Sequence, residues 1–107
     1  MFKTVKISIV GRVQGVGFRP FIFQLAHELG LKGTVQNNMD GVEVFVEGKV
    51  AQVELFLQSI EQKAPRLSRI DRMVVHKESS KGFRDFSIIE SRREGTSQLV
   101  IPIDAGI

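Results

Sequence analysis

The chain has 107 residues, of which 42% are hydrophobic and 25% are charged, a composition that predicts one ordinary domain with a single modest core. It contains no cysteine, which excludes a disulfide framework and a thiolate metal site, and it has no apolar run near the roughly 18 residues of a membrane span. The formal net charge of +3 suits an anionic ligand but is too small to indicate nucleic acid, since duplex binders concentrate many cations on one face. No secretory signal precedes the first strand pattern, so we expect a cytoplasmic protein without a membrane partner.

Hydrophobic periodicity predicts an alternation of strands and helices over residues 4–90. Period two, as in Val5, Ile7 and Ile9, is typical of a half-buried strand, and apolar residues three and four apart are typical of an amphipathic helix. We therefore expect, in chain order, strand 4–10, helix 20–30, strand 33–37, strand 42–47, helix 49–63, strand 66–77 and strand 83–90. Gly48 is expected to break the third of these strands.

This order of elements predicts the fold class. It is β-α-β-β-α-β with one extra strand, which is the split-βαβ, ferredoxin-like plan of an α+β protein. We expect an antiparallel sheet of four or five strands with two helices on one face, built by residues 1–90. The remaining residues, 91–107, fall outside this pattern and are interpreted as a tail or linker toward a missing downstream module.

The glycine-rich stretch from Gly11 to Pro20 lies between the first strand and the first helix. Its glycines allow consecutive backbone N–H groups to converge, and the following helix N-terminus adds partial positive charge, a combination that binds anions. Arg19 would add a planar fork that matches phosphate oxygens. The stretch lacks the lysine of a Walker loop, and no acidic residue follows the second strand as in a dinucleotide fold. Phosphate binding and an ordinary turn both remain open from the spacing alone.

Other candidate residues are given structural interpretations. His27 and His76 are isolated and far apart in sequence, so no metal site and no cofactor are predicted. Asp40 is interpreted as a turn former, because Asp-Gly favours a hairpin. Residues 81–86 resemble the aromatic motif of RNA-recognition modules but fall on the last strand instead of the central one, so no nucleic-acid partner is expected.

Two segments together resemble the acylphosphatase family. Residues 11–19, GRVQGVGFR, closely resemble its first signature, and residues 33–44, GTVQNNMDGVEV, resemble its second. The resemblance implies Arg19 and Asn37 as the catalytic residues, with Asn37 orienting a water and the substrate's own phosphate accepting the proton. It implies a phosphate-binding set without any metal: Val13, Gln14, Gly15, Val16, Gly17, Phe18 and Arg19.

Two further features resemble one subgroup, the hydrogenase-maturation carbamoyltransferases. Residues 18–21, FRPF, look like part of the acylphosphatase-like domain at their N-terminus, and residues 101–107, IPIDAGI, look like the linker that follows it. The resemblance implies carbamoyl phosphate as the small acyl phosphate and downstream domains of the parent chain as partners. Thr34, where free acylphosphatases usually carry an aromatic residue, departs from the pattern. The alternative hypothesis is an anion-binding interaction module with no turnover of its own.

Overall fold

The computed structural model describes residues 1–90, so the tail predicted at 91–107 lies outside the described residues. Seven elements follow one another: β1 (Phe2–Arg12), α1 (Phe18–Glu28), β2 (Lys32–Asn37), β3 (Gly41–Lys49), α2 (Val50–Lys63), β4 (Arg69–Glu78) and β5 (Phe86–Ile89). The strands form one five-stranded sheet in the order β4-β1-β3-β2-β5. The predicted ferredoxin-like α+β plan is therefore confirmed.

The hydrophobic core lies between the two helices and one face of the sheet. Alternate residues of the central strands supply one side of it, because neighbouring side chains of a strand point to opposite faces. The helices supply the other side with the stripes predicted from sequence. The fully buried side chains include Val5, Ile7, Ile9, Val42, Val44 and Val46 from the strands and Ile22, Val53, Phe56 and Ile60 from the helices. Each such residue stabilises the fold by about 1.5–3 kcal/mol relative to leaving it exposed.

The sheet is mixed, where a wholly antiparallel one was expected. β1 pairs antiparallel with β3 and β4, and β3 with β2, but β5 lies parallel to β2. β5 is also shorter than predicted, since β4 and β5 occupy opposite edges and residues 79–85 are used to cross between them. The Gly33 N–H, which donates to the Asp85 carbonyl at 2.9 Å, joins the end of this connection to β2.

Most element boundaries differ from the sequence prediction by one to three residues. α1 begins at Phe18, two residues before the expected start, and β4 begins at Arg69 because residues 66–67 form a turn. The predicted break at Gly48 was wrong, since β3 continues through Gly48, which pairs with Lys3 of β1. A side chain at Gly48 would collide with Leu31, so the glycine provides room for packing within a regular strand.

Candidate phosphate-binding site

The register of the sheet brings the glycine loop and Asn37 to the same end of the molecule. Near the end of β1, Val10 lies opposite Gly41, the first residue of β3. The next residue of β3, Val42, lies opposite Asn37, the last residue of β2. The chain that leaves β1 therefore enters its loop beside the β2–β3 turn. Two segments separated in sequence by α1 meet here because β3 pairs with both strands.

The loop between β1 and α1 presents a run of free backbone donors. Val13 and Phe18 are buried and anchor its two ends, whereas Gly15 and Gly17 adopt left-handed φ values of 74° and 81°. Within residues 1–90, the N–H groups of residues 14–19 donate to no protein acceptor. Unpaired N–H groups at a helix N-terminus attract anions through their partial positive charge. The loop is therefore suited to hold a phosphate group.

Arg19 is the second residue of α1 and adds a full positive charge to this loop. Its side chain is half-buried, and it makes no hydrogen bond or ion pair with any residue in the described part of the chain. The first turn of α1 contains no acidic residue. The guanidinium is therefore not neutralised by a neighbour, and its five donors are available to an anionic ligand.

Asn37 contributes a buried side-chain oxygen to the site. Its Oδ1 is buried and accepts no hydrogen bond from residues 1–90, although buried side-chain oxygens are normally hydrogen-bonded. Asn37 follows Val35 by two residues, so it lies on the face of the sheet that the helices cover. An amide in this position offers one acceptor and two donors to a small polar molecule.

The neighbouring Asn38 has a structural role. Its Oδ1 accepts from the backbone N–H groups of Asp40, at 3.0 Å, and Gly41, at 2.8 Å, which closes the β2–β3 turn. Asp40 is exposed and forms part of this turn, as the sequence predicted. Of the two adjacent asparagines, only Asn37 keeps its side-chain oxygen available.

Sequence reasoning placed Gln14 only within the phosphate-binding set and missed its side-chain contacts. The Nε2 amide of Gln14 donates to the carbonyl oxygens of Asn38, at 2.6 Å, and Gly41, at 2.8 Å. The side chain thus points to the β2–β3 turn. No periodicity or motif spacing could have revealed these contacts, because the acceptors are backbone atoms of a distant turn.

The other candidate residues, which include His27 and Arg12, do not form a cluster of metal-binding groups in residues 1–90. His27 stacks on Phe23 in α1, with ring centroids 6.1 Å apart. Residues 1–90 contain no group of three or more histidine, cysteine or acidic residues that could hold a metal ion. Arg12, at the end of β1, is exposed opposite Arg69, whose pKa is raised by its hydrogen bond to Asp71 and by the charge of that carboxylate. In this same part of the chain, no helix is long and apolar enough to cross a membrane.

Comparison with known proteins relates this chain to one domain family. The sequence model described as Acylphosphatase matches residues 5–88. A probable carbamoyltransferase HypF of Methanocaldococcus jannaschii is 42% identical over 111 aligned positions, which cover 96% of this chain and 14% of that protein. An acylphosphatase of Thermus thermophilus is 43% identical over 81 positions, which cover 75% of this chain and 91% of that protein.

A solved structure of a related protein has the same fold as this chain. The crystal structure of full-length HypF in its phosphate- and nucleotide-bound form superimposes with a TM-score of 0.84 at 41% identity. The match covers 89% of this chain and 13% of that one. This chain therefore spans about one seventh of the length of the carbamoyltransferases it resembles but nearly the whole length of a free acylphosphatase.

Proposed function

This chain belongs to the acylphosphatase family, and from that premise we propose that it hydrolyses the acyl–phosphate bond of a small acyl phosphate. The phosphate would bind in the loop of residues 13–18 with Arg19 against it, and Asn37 would hold the attacking water. The observation that carries the proposal is the buried Asn37 Oδ1, which has no partner among residues 1–90 and lies beside a loop whose N–H groups are unpaired within the same residues. That pairing supplies an anion site and a water-orienting acceptor at one end of the sheet.

Binding would depend mainly on the loop and Arg19. A phosphate oxygen that replaces water at these N–H groups forms charge-assisted hydrogen bonds, each contributing about 1.5–3 kcal/mol. The glycines allow the left-handed backbone in which the loop's N–H groups can face a ligand. The guanidinium of Arg19 would stabilise charge that develops on the phosphoryl oxygens during the reaction.

The chemical step needs no dedicated base. The Oδ1 of Asn37 would accept a hydrogen bond from the water and so direct a lone pair of the water oxygen at phosphorus. As the new P–O bond forms, the bond from phosphorus to the acyl oxygen breaks and a carboxylate leaves with its electron pair. The water's proton passes to a phosphate oxygen of the substrate. The products are inorganic phosphate and a carboxylate, which balances the water and acyl phosphate consumed.

Carbamoyl phosphate is our proposed substrate, in which case the carboxylate released is carbamate. Support comes from the FRPF segment at residues 18–21 and from the similarity to proteins named carbamoyltransferase HypF. We further propose that residues 1–90 form the hydrolytic domain and that 91–107 lead toward downstream domains of a longer parent chain. The cytoplasmic location expected from the sequence stays a prediction.

Two substitutions and a control test the proposed function. Arg19→Ala should abolish both phosphate binding, measured by calorimetry, and hydrolysis of benzoyl or carbamoyl phosphate. Asn37→Ala should slow hydrolysis by about 100-fold while weakening inorganic phosphate binding far less, because it removes an interaction with the water. Arg84→Ala is the matched control, since Arg84 is exposed at the opposite end of β2 and should change neither quantity.

The outcomes of these experiments distinguish a hydrolase of acyl phosphates from an anion-binding interaction module. Undiminished turnover in Arg19→Ala would contradict the proposal. Saturable phosphate binding by the intact chain with no turnover of either substrate would favour the anion-binding interaction module instead. A preference for carbamoyl over benzoyl phosphate in kcat/KM would support the narrower substrate assignment.

A further inference from the structure

We propose that the side-chain amide of Gln14 is a positioning group that aligns the phosphate loop with the strand bearing Asn37. The inference rests on the proposed function, because alignment matters only if a phosphate in the loop meets a water held by Asn37. It assigns Gln14 a role distinct from that of its neighbours in the loop. Their backbone N–H groups face a ligand, whereas the Gln14 side chain contacts protein.

The side-chain amide of Gln14 donates both of its hydrogens to backbone carbonyl oxygens. The Nε2 atom carries two hydrogens, and it lies 2.6 Å from the Asn38 carbonyl oxygen and 2.8 Å from that of Gly41. These acceptors are 24 and 27 residues away in sequence. One side chain therefore joins the β1–α1 loop to both ends of the β2–β3 turn.

The turn that accepts the two hydrogen bonds from Gln14 is itself closed by three hydrogen bonds. The Asn38 Oδ1 accepts from the N–H groups of Asp40 and Gly41, and the Asn38 N–H donates to the Gly41 carbonyl at 2.9 Å. The Gly41 carbonyl oxygen thus accepts from both Asn38 and Gln14. A turn held in this way moves as a unit, and Asn37 is the residue that immediately precedes it.

Val16 packs partly against the core, but in residues 1–90 the backbone of the loop interior has few other attachments to protein, so a further attachment matters. Val13 and Phe18 are buried at its ends, but the N–H groups between them donate to no residue within 1–90. A bound phosphate would follow any displacement of the loop, whereas the water would follow Asn37. Misplacing reacting groups by about 1 Å can cost about 100-fold in rate. Gln14 fixes the separation between these two groups.

Substitution of Gln14 by methionine tests the inference without adding charge. Gln14→Met keeps the length of the side chain but removes both donors, so we expect kcat for benzoyl phosphate to fall by about 10- to 100-fold. The affinity for inorganic phosphate should fall by less than about 3-fold, since the loop donors remain. Gln58→Met, on the exposed face of α2, is the matched control and should change neither value.

A second variant tests the same two hydrogen bonds through the pH dependence of turnover. In Gln14→Glu, an ionised carboxylate would face two carbonyl oxygens and repel them, whereas the protonated acid has one O–H to donate. The kcat of Gln14→Glu relative to wild type should therefore rise as pH falls toward the carboxyl pKa, which is about 4.3 for an unperturbed glutamate. Gln58→Glu should show a flat ratio over the same range.

A readout independent of turnover separates this inference from the proposed function. In the phosphate-saturated chain, Gln14→Met should shift or broaden the side-chain amide NMR resonances of Asn37, and Gln58→Met should not. If the wild-type chain shows no turnover, the proposed function fails and these resonances alone decide the role of Gln14. Unchanged Asn37 resonances would overturn the inference. So would a Gln14→Met variant that loses phosphate affinity at constant kcat, because Gln14 would then be a ligand.

Discussion

At the scale of single residues, the site depends on conformations that only a few residue types adopt. Gly15 and Gly17 hold left-handed φ values in a loop whose N–H groups meet no acceptor in the part of the chain that the structure describes. Gly11 serves a different purpose, because a side chain there would overlap the Arg69 carbonyl of the adjacent strand. The first pair shapes the anion site, and the third allows β4 to pack against β1.

Gly17→Ala should damage the site while leaving the fold intact. A Cβ at Gly17 meets nothing within 4 Å, so the cost is the left-handed backbone alone, about 1–2 kcal/mol. To relieve it the loop would rotate its N–H groups, so we expect phosphate affinity and hydrolysis to fall by at least about 10-fold. Calorimetry with phosphate and turnover of benzoyl phosphate measure these losses.

Gly30→Ala is the matched control for this substitution. Gly30 has a φ of 69°, equally open surroundings and a position after the far end of α1. It should lose similar stability in urea unfolding and retain phosphate binding. Equal loss of binding in both variants would show that the effect comes from general destabilisation and not from the loop.

At the scale of elements, the crossover of residues 79–85 has the most consequence for the fold. It spans the sheet face opposite the helices and is held there by Glu47 of β3. The Glu47 carboxylate accepts from the Lys81 N–H at 3.0 Å and from the Ser80 hydroxyl at 3.1 Å. The Lys81 ammonium lies 5.4 Å from the centre of the Phe45 ring, a cation–π contact that adds to the attachment.

These contacts make the crossover sensitive to acid. The Lys81 N–H, supported by Ser80, Thr4 and Gly82, lowers the pKa of Glu47 below its usual 4.5 against an opposing effect of partial burial. Because the pKa is lower in the folded chain, the charged carboxylate stabilises the fold above about pH 4.5. That stability is lost as the pH falls through the pKa of Glu47 in the folded chain.

Glu47→Gln should therefore lower the free energy of unfolding at neutral pH by about 1 kcal/mol. The difference from wild type should shrink in acid, where the wild-type carboxylate is itself protonated. Urea unfolding at a series of pH values measures it. Glu61→Gln, on the exposed face of α2, should change stability little at any pH. A pH-independent loss in Glu47→Gln would argue against a role for its charge.

At the scale of the whole molecule, the described residues contain a five-stranded sheet, two helices, one core and the candidate site. The matched family region, residues 5–88, falls within the same limits. We therefore expect a chain of residues 1–90 to unfold in one cooperative transition with the same midpoint as the 107-residue chain. Calorimetric scanning of both proteins measures this. A broadened or markedly lowered transition in the shorter protein would show that residues 91–107 contribute to the fold.

The sequence by itself determined the class of fold and the identity of the site segments. Apolar residues that recur every two positions in strands and every 3.6 positions in helices indicate which face of each element is buried. For this reason most elements, and the apolar stripes of α1 and α2, were predicted correctly. The two signature segments, 11–19 and 33–44, are local patterns and are recognisable in the sequence alone. Arg19 and Asn37 were named from those segments, and their catalytic roles remain predictions.

Only the tertiary structure decided how these parts meet. The parallel pairing of β5 with β2 and the continuation of β3 through Gly48 depend on partner strands, which no local pattern encodes. The same holds for the two asparagines, since Asn38 closes the turn and the Asn37 oxygen finds no partner among residues 1–90. The link from Gln14 to that turn joins residues distant in sequence. Such contacts arise from packing, because periodicity records burial but not which atoms of separate segments come within hydrogen-bond distance.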